Sequence, residues 1–223
     1  VSFINGSTYT NADSLQFTVY FDQFVVNVDA TDFEVSGTTA GVTTVLPSGP
    51  QGFAVTVSGG DLANLNGEVR LGIASGNDIQ NLLGTPLGAF DPSVADATVV
   101  NNTPPNCAFS TTEPAPVTGN FLVDITCLPQ DGFADGIAVW SFTESDLVVT
   151  NATIESFTAA ANAAPGSVTL RPAGAGTITV NLPADSLYDE ASNLNTASTE
   201  FSIEAAIAAP EISFSTTVSS PVN

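Results

Sequence analysis

The chain repeats itself. VSFINGSTYTNADSLQFTVYF (1–21) and CAFSTTEPAPVTGNFLVDITC (107–127) align without a gap at an offset of 106 residues, which matches Phe3, Leu15, Phe17 and Val19 with Phe109, Phe121, Val123 and Ile125. With small insertions, Val28, Asp32, Phe33 and Val35 correspond to Phe142, Asp146, Leu147 and Val149, and GEVRLGI (67–73) to GTITVNL (176–182). A repeat of about 105 residues is a strong constraint. Whatever one copy folds into the other must also form, and each is long enough to bury its own core. The copies run 1–106 and 107–210, joined by NNTPPN at 101–106. A third copy opens and stops: ISFSTTVSSPV (212–222) matches CAFSTTEPAPV (107–117). Residues 211–223 therefore read as the first strand of a further repeat or as a donor strand.

Each copy reads as all-β. LQFTVYF (15–21) and FLVDITC (121–127) alternate apolar and polar residues, as a half-buried strand requires, with 15, 17, 19, 21 and 121, 123, 125, 127 facing inward. Gly, Pro, Asn and Asp punctuate runs of five to seven residues, and no segment sustains a helical period. About seven short strands per copy predict a two-sheet sandwich with immunoglobulin-like or Greek-key connections. The expected architecture is thus two tandem immunoglobulin-like β-sandwiches followed by a single strand.

Charge and composition exclude several function classes. Two basic residues, Arg70 and Arg171, face 23 acidic ones for a net charge of −21. Such a surface repels nucleic acid and anionic lipid, both of which need Lys/Arg to neutralise phosphate. No apolar stretch approaches the ~20 residues that span a bilayer. No charged start with an apolar core opens the sequence, so any signal peptide is expected either to have been removed already or never to have been part of this sequence. Histidine, lysine and methionine are absent and cysteine occurs twice, which removes imidazole bases, Schiff-base lysines and zinc-finger ligation. An enzyme would have to work with carboxylates alone. The chain has one Trp and three Tyr to line a sugar cleft, and most of its features occur twice where a catalytic site is unique.

The second copy carries more specific wording. PVTGNFLVDITC, FTESDLVVTNATIESF (142–157) and GTITVNLPADSLYDEASNLNTAS (176–198) follow one another in it. This resembles the bacterial Ig-like repeats that tile large extracellular adhesins and surface proteins, with Tyr188, Asp189, Asn193 and Asn195 in the loop that ends their pattern. The resemblance covers the second copy. The first follows it loosely, because GNDIQNLLGTPLG (76–88) does not carry the same loop wording. It implies a sandwich used as a spacer or ligand-presenting module, often stiffened by calcium.

Several residues are candidates for chemistry. Cys107 and Cys127 stand where the first copy has Val1 and Phe21, and a hairpin centred on Val117 sets them opposite each other. A disulfide there would close a loop of about 20 residues, worth roughly 3 kcal/mol, and would point to an oxidising compartment. The alternative is two buried thiols acting as small apolar side chains. Trp140 reads as core. Calcium, which takes six to eight oxygens, has as candidate ligands Asp131 and Asp135 in the loop 128–137, Glu144 with Asp146, Asp189 with Glu190, and Asp29 with Asp32. The competing reading is solvated loop acids. Sequons fall at Asn5, Asn101 and Asn151.

These observations together lead to a non-enzymatic extracellular or cell-surface module, structural or adhesive, in contact with neighbouring repeats or identical subunits and presenting a surface to a ligand or glycan. Two alternatives follow from the same residues. One is a subunit of an extracellular filament or sheath held by C-terminal strand addition, with Ile212 and Phe214 as the contact. The other is a carbohydrate-binding module.

Overall fold

The computed structural model describes residues 2–4, 9–89, 96–128, 141–160, 164–206 and 212–215. In the first unit the strands are β1 (Ser2–Ile4), β2 (Tyr9–Thr10), β3 (Ser14–Tyr20), β4 (Val25–Val26), β5 (Phe33–Ser36), β6 (Gly41–Pro47), β7 (Gly52–Ser58), β8 (Asn66–Ile73), β9 (Gln80–Asn81) and β10 (Asp96–Asn101). They form sheets in the orders β1-β3-β7-β6 and β2-β10-β8-β5, with a short β4–β9 ribbon. The second unit has β11 (Asn106–Ser110), β12 (Phe121–Leu128), β13 (Val148–Thr150), β14 (Ala152–Thr158), β15 (Gly166–Pro172), β16 (Gly176–Asn181) and β17 (Phe201–Ala205). Its sheets run β11-β12-β15-β14 and β13-β16-β17. The fold is all-β and immunoglobulin-like, with the sheet β1-β3-β7-β6 of the first sandwich matching β11-β12-β15-β14 of the second.

The alternation does what the period of two demands. Leu15, Phe17, Val19 and Phe21 are buried, as are Phe121, Val123, Ile125 and Cys127. Each set packs across to the opposite sheet, on Val69, Leu71 and Val100 in the first unit and on Ile178, Val180 and Ile203 in the second. Burying such side chains stabilises each sandwich by about 1.5–3 kcal/mol apiece before chain entropy is counted. The hairpins also share a register: Phe3 faces Val19 as Phe109 faces Ile125. Edge strands β6 and β14 both carry an irregularity at equivalent places, between Val42 and Thr44 and between Ile154 and Ser156. A bulge bends an edge and blunts it against lateral pairing.

In each unit the chain's first segment changes sheets. β1 pairs antiparallel with β3, then β2 pairs parallel with β10 in the other sheet. β11 pairs antiparallel with β12, then Val117 bridges Ala205 in parallel, held by Val117 N–H to the Glu204 carbonyl and Ala206 N–H to the Val117 carbonyl, both 2.9 Å. Because first and last segments run in the same direction, the chain enters a sandwich at one end and leaves at the other.

Cys107 and Cys127 face each other across β11 and β12 and are joined by a disulfide with Cα atoms 4.0 Å apart. It lies within one sheet, and its two half-cystines belong to the core. Closing a 20-residue loop stabilises the second unit by about 3 kcal/mol. Reduction is therefore expected to lower the calorimetric transition of the second unit and leave that of the first in place. Two transitions that move together, or neither moving, would contradict this.

Candidate functional site

Among the described residues, a buried polar cluster of Asn101, Asp189, Asn193 and Asn195 lies where the two units meet. All but Asn101 belong to the loop Pro183–Thr196, which connects β16 to β17 at the end of the second sandwich where the chain enters. Asn195, 2% exposed, organises the loop from inside. Its Oδ1 accepts the N–H groups of Ser186 (2.8 Å) and Leu187 (2.9 Å), and its Nδ2 donates to the carbonyls of Pro183 (2.9 Å) and Thr196 (2.8 Å). The full hydrogen-bonding capacity of the amide is used, which is what makes a buried Asn tolerable. Asp189, 1% exposed, accepts the N–H of Asn193 at Oδ1 (2.8 Å) and its Nδ2 at Oδ2 (3.0 Å).

Asn193 then reaches across to the first unit. Its Nδ2 also donates to the carbonyl of Asn101 (2.8 Å), at the end of β10, and its Oδ1 accepts from Asn11 Nδ2 (3.2 Å), just past β2. Thr196 N–H donates to the Pro105 carbonyl (3.1 Å), and Asn106 Nδ2 donates to Thr196 Oγ1 (2.9 Å). The linker is tied down as well. Asn102 Nδ2 donates to the Leu62 and Leu65 carbonyls, and Thr103 N–H donates to Asn101 Oδ1. NNTPPN is thus a hydrogen-bonded strap between two sandwiches.

The first unit has the same loop in different letters. Asn81 Oδ1 accepts Thr85 N–H (2.9 Å) as Asp189 Oδ1 accepts Asn193 N–H. Asn81 N–H to Thr85, Gly84 N–H to Asn81 and Leu87 N–H to Ile79 reproduce Asp189 to Asn193, Ser192 to Asp189 and Asn195 to Leu187. The bridges Gln80–Pro86 and Tyr188–Leu194 correspond too. Gly84 has φ +80° and its counterpart Ser192 has φ +74°, a conformation that costs a side chain roughly 1–2 kcal/mol. The wording of residues 76–88 hid this equivalence.

The acidic candidates fall into place differently. Asp131 and Asp135, with Trp140 and the sequon at Asn5, lie outside the described residues. Asp146 Oδ2 accepts Thr143 N–H (2.7 Å) and its hydroxyl (2.8 Å), capping the 3-10 turn Glu144–Asp146. Asp32 Oδ2 likewise accepts Asp29 N–H (2.7 Å), and its Oδ1 accepts Asp78 N–H (3.1 Å) in the loop between β8 and β9. Glu144 and Glu190 are exposed. Among the described residues, no three Asp, Glu, Cys or His side chains are grouped closely enough to hold a metal ion. Asn101 is fully buried, so its sequon is closed to a glycan. Arg70 and Arg171 are each paired with a neighbouring carboxylate, Glu68 at 2.6 Å and Glu155 at 2.5 Å, exposed pairs worth little to stability.

Two exposed carboxyls are held below the usual range. Asp29 is stabilised in its charged form by the Thr31 hydroxyl and then the Thr31 N–H, and Asp61 by the Thr38 hydroxyl and then the Thr39 N–H. Since their folded pKa values lie below 3.8, their contribution is intact above that pH and is lost as pH falls through the folded values.

No family model and no curated relative matches the chain. Similar solved structures include bacterial surface proteins. The chain is similar to Yersinia pseudotuberculosis InvD at 12% identity, covering 97% of this chain and 60% of that one, with a TM-score of 0.41. The Yersinia pseudotuberculosis adhesin InvE follows at 12% identity, covering 90% of this chain and 57% of that one, TM-score 0.34. Domains 5–6 of the S-layer protein SbsC match at 13% identity over 92% and 94% of the two chains, TM-score 0.23. The chain thus spans about 60% of the first two structures.

Ser192→Gly should stabilise the second unit by about 1 kcal/mol in denaturant unfolding, because it removes the Cβ penalty at a positive φ. Asn195→Ala should cost about 3 kcal/mol, since it orphans two N–H groups and two carbonyls. A Ser192→Gly protein no more stable than the parent would show that residue 192 incurs no penalty for a positive φ.

Proposed function

We propose that the chain is a non-enzymatic structural module of an extracellular or cell-surface protein, a rigid pair of sandwiches that extends reach and presents whatever it carries. The observation that carries this reading is the buried joint of Asn193, Asp189, Asn101 and Asn11. Two sandwiches on a free tether need no interlocked side chains, whereas this joint fixes one unit against the next. The parallel pairing of first and last segments supports the same reading, because each unit adds length along the chain's path. The disulfide supports an oxidising compartment, and a charge of −21 supports a solvated surface without affinity for polyanions.

A second reading rests on the tail. Ile212 and Phe214 match Cys107 and Phe109 in sequence, yet they are 78% and 91% exposed. An unpaired strand with an apolar face is not stable in water. In this reading the tail adds as a first strand to a sandwich outside residues 1–210, as in strand-addition polymers. Glycan binding has less support. The described cleft beside the leading loop of the first unit, lined by Glu34, Ile73, Asn77, Pro86 and Leu87 among others, contains no aromatic ring.

Backbone relaxation by NMR tests the rigid pair directly. The two units should tumble with one correlation time, and Asn193→Ala combined with Asn11→Ala should separate their rotational behaviour while both stay folded. Independent tumbling in the unaltered protein would end the spacer reading. Calcium is expected, if anywhere, at the loop 128–137, because the carboxylates of Asp146 and Asp189 are already committed to hydrogen bonds. A thermal midpoint unmoved by millimolar calcium would remove it.

A further inference from the structure

The three- and four-stranded sheets of the two sandwiches present four outer faces, and among the described residues three of these carry carboxylates. Glu34 and Glu68 stand on β5 and β8, Asp124 and Glu155 on β12 and β14, and Glu204 on β17, each alternating with core residues. The fourth face, on β3, β7 and β6, carries no charge. Charged residues make up 11% of the chain, yet residues 1–12, 14–21 and 35–60, which supply every strand of this sheet, hold none. The fold does not demand this, because the matching sheet of the second unit carries Asp124, Glu155 and Arg171.

Alternation decides which side chains point outward there. Phe17, Val19, Val55 and Val57 are buried, so Thr18, Tyr20, Ala54 and Thr56 lie on the outer side. The ladders set Thr18 beside Ala54 and Ala54 beside Leu46, with Thr56 beside Thr44. Leu46 is 61% exposed and Tyr20 39%. Tyr20 leans over the sheet. It stands opposite Gly52, where a Cβ would come within 2.9 Å of its ring, so glycine lets the ring lie across the neighbouring strand. The surface is thus one of hydroxyls beside an apolar pair, Tyr20 and Leu46, with no carboxylate among them.

We infer that this face pairs with the same face of a second copy of the chain, sheet against sheet. A net charge of −21 sets two copies against each other elsewhere. Of the four described sheet faces, only this one meets its own copy without juxtaposing like charges. A hydroxyl is donor and acceptor at once, so a patch of Thr18, Thr44 and Thr56 is self-complementary in a way that carboxylates are not. Edge-to-edge pairing is blunted by the irregularity in β6, which leaves the flat side, packed as two sheets about 10 Å apart. A contact that uses one patch on both copies is isologous and closes at two. The inference concerns neighbouring chains and goes beyond the spacer reading, which concerns the two units of one chain.

Sedimentation equilibrium of the whole chain tests the pairing. The average mass should rise with concentration and level off at two chains. Raising salt from about 0.01 M to about 1 M shortens the screening length from roughly 30 Å to roughly 3 Å, and should tighten the dimer by suppressing the remaining repulsion. At the higher salt, Leu46→Glu and, separately, Thr44→Asp should each raise the dissociation constant by about tenfold or more. Leu122→Glu adds the same charge to the matching face of the second unit and should leave the constant nearly unchanged. A chain that stays monomeric at millimolar concentration in high salt overturns the inference. So does a dimer that Leu46→Glu leaves intact, or one that Leu122→Glu weakens equally. A monomer retarded in a native gel by a neutral glucan, and released by Leu46→Glu, would overturn it by giving the face to a glycan. None of these results touches the spacer reading, which relaxation of the single chain tests.

Discussion

Everything in this structure depends on the first segment of each sandwich running parallel to the last. An antiparallel pairing there would return the chain to the end at which it came in. The parallel pairing of β2 with β10, and of Val117 with Ala205, instead sends it out at the far end. To reach that position, the segment must leave the sheet in which it began, and this accounts for the break between β1 and β2 and between β11 and Val117. The reward is a second unit whose leading loop faces the trailing end of the first. That geometry makes a joint possible before any particular joint residue is chosen.

The joint residues then decide how stiff the connection is. A buried amide is costly unless its donors and acceptors are all matched. Asn195 spends its capacity inside its own loop, which fixes the loop's shape. Asn193 divides its capacity between Asp189 and the preceding unit, which fixes the loop's direction. If the neighbour moves away, Asn193 loses the Asn101 carbonyl and the Asn11 amide together. Water can replace these bonds at an exposed end, so the net gain is modest, about 1 kcal/mol per hydrogen bond. Its value lies in orientation: hydrogen bonds discriminate angle in a way that apolar contact does not.

The parts of the fold governed by a period of two were legible in the sequence. The eight inward positions of β3 and β12 and their following residues follow from alternation, and the half-cystines follow from hairpin symmetry. What resisted was whatever depends on loop conformation. Asp189 takes hydrogen bonds from Asn193 because Ser192 adopts a positive φ and folds Asn193 back onto it, which no spacing in the sequence announces. Asp146 and Asp32 cap short turns with their carboxylate oxygens, a use that their place in the sequence does not announce. The first unit's leading loop carries no legible signal of its equivalence, because Asn81, Gly84 and Thr85 do the work of Asp189, Ser192 and Asn193 with no shared letter. A single-residue bridge such as Val117 leaves no periodic trace at all.

The disulfide occupies a place that the joint explains. Cys107 lies two residues beyond Pro105, whose carbonyl is held by Thr196, so it sits where the linker enters the second sandwich. Tension arriving through the linker would otherwise act on β11, a five-residue strand paired with β12 along one side. Under such a pull the bond would pass the tension directly into Cys127 at the end of β12, whose neighbours β11 and β15 flank it inside the sheet. The residues between the half-cystines, including the sheet switch at Val117, would then be relieved of load. The first unit has Val1 and Phe21 at the equivalent positions and no such bypass. A joint that holds orientation by hydrogen bonds alone would be undone if the strand beyond it peeled, and the covalent bond stands at the point where peeling would begin.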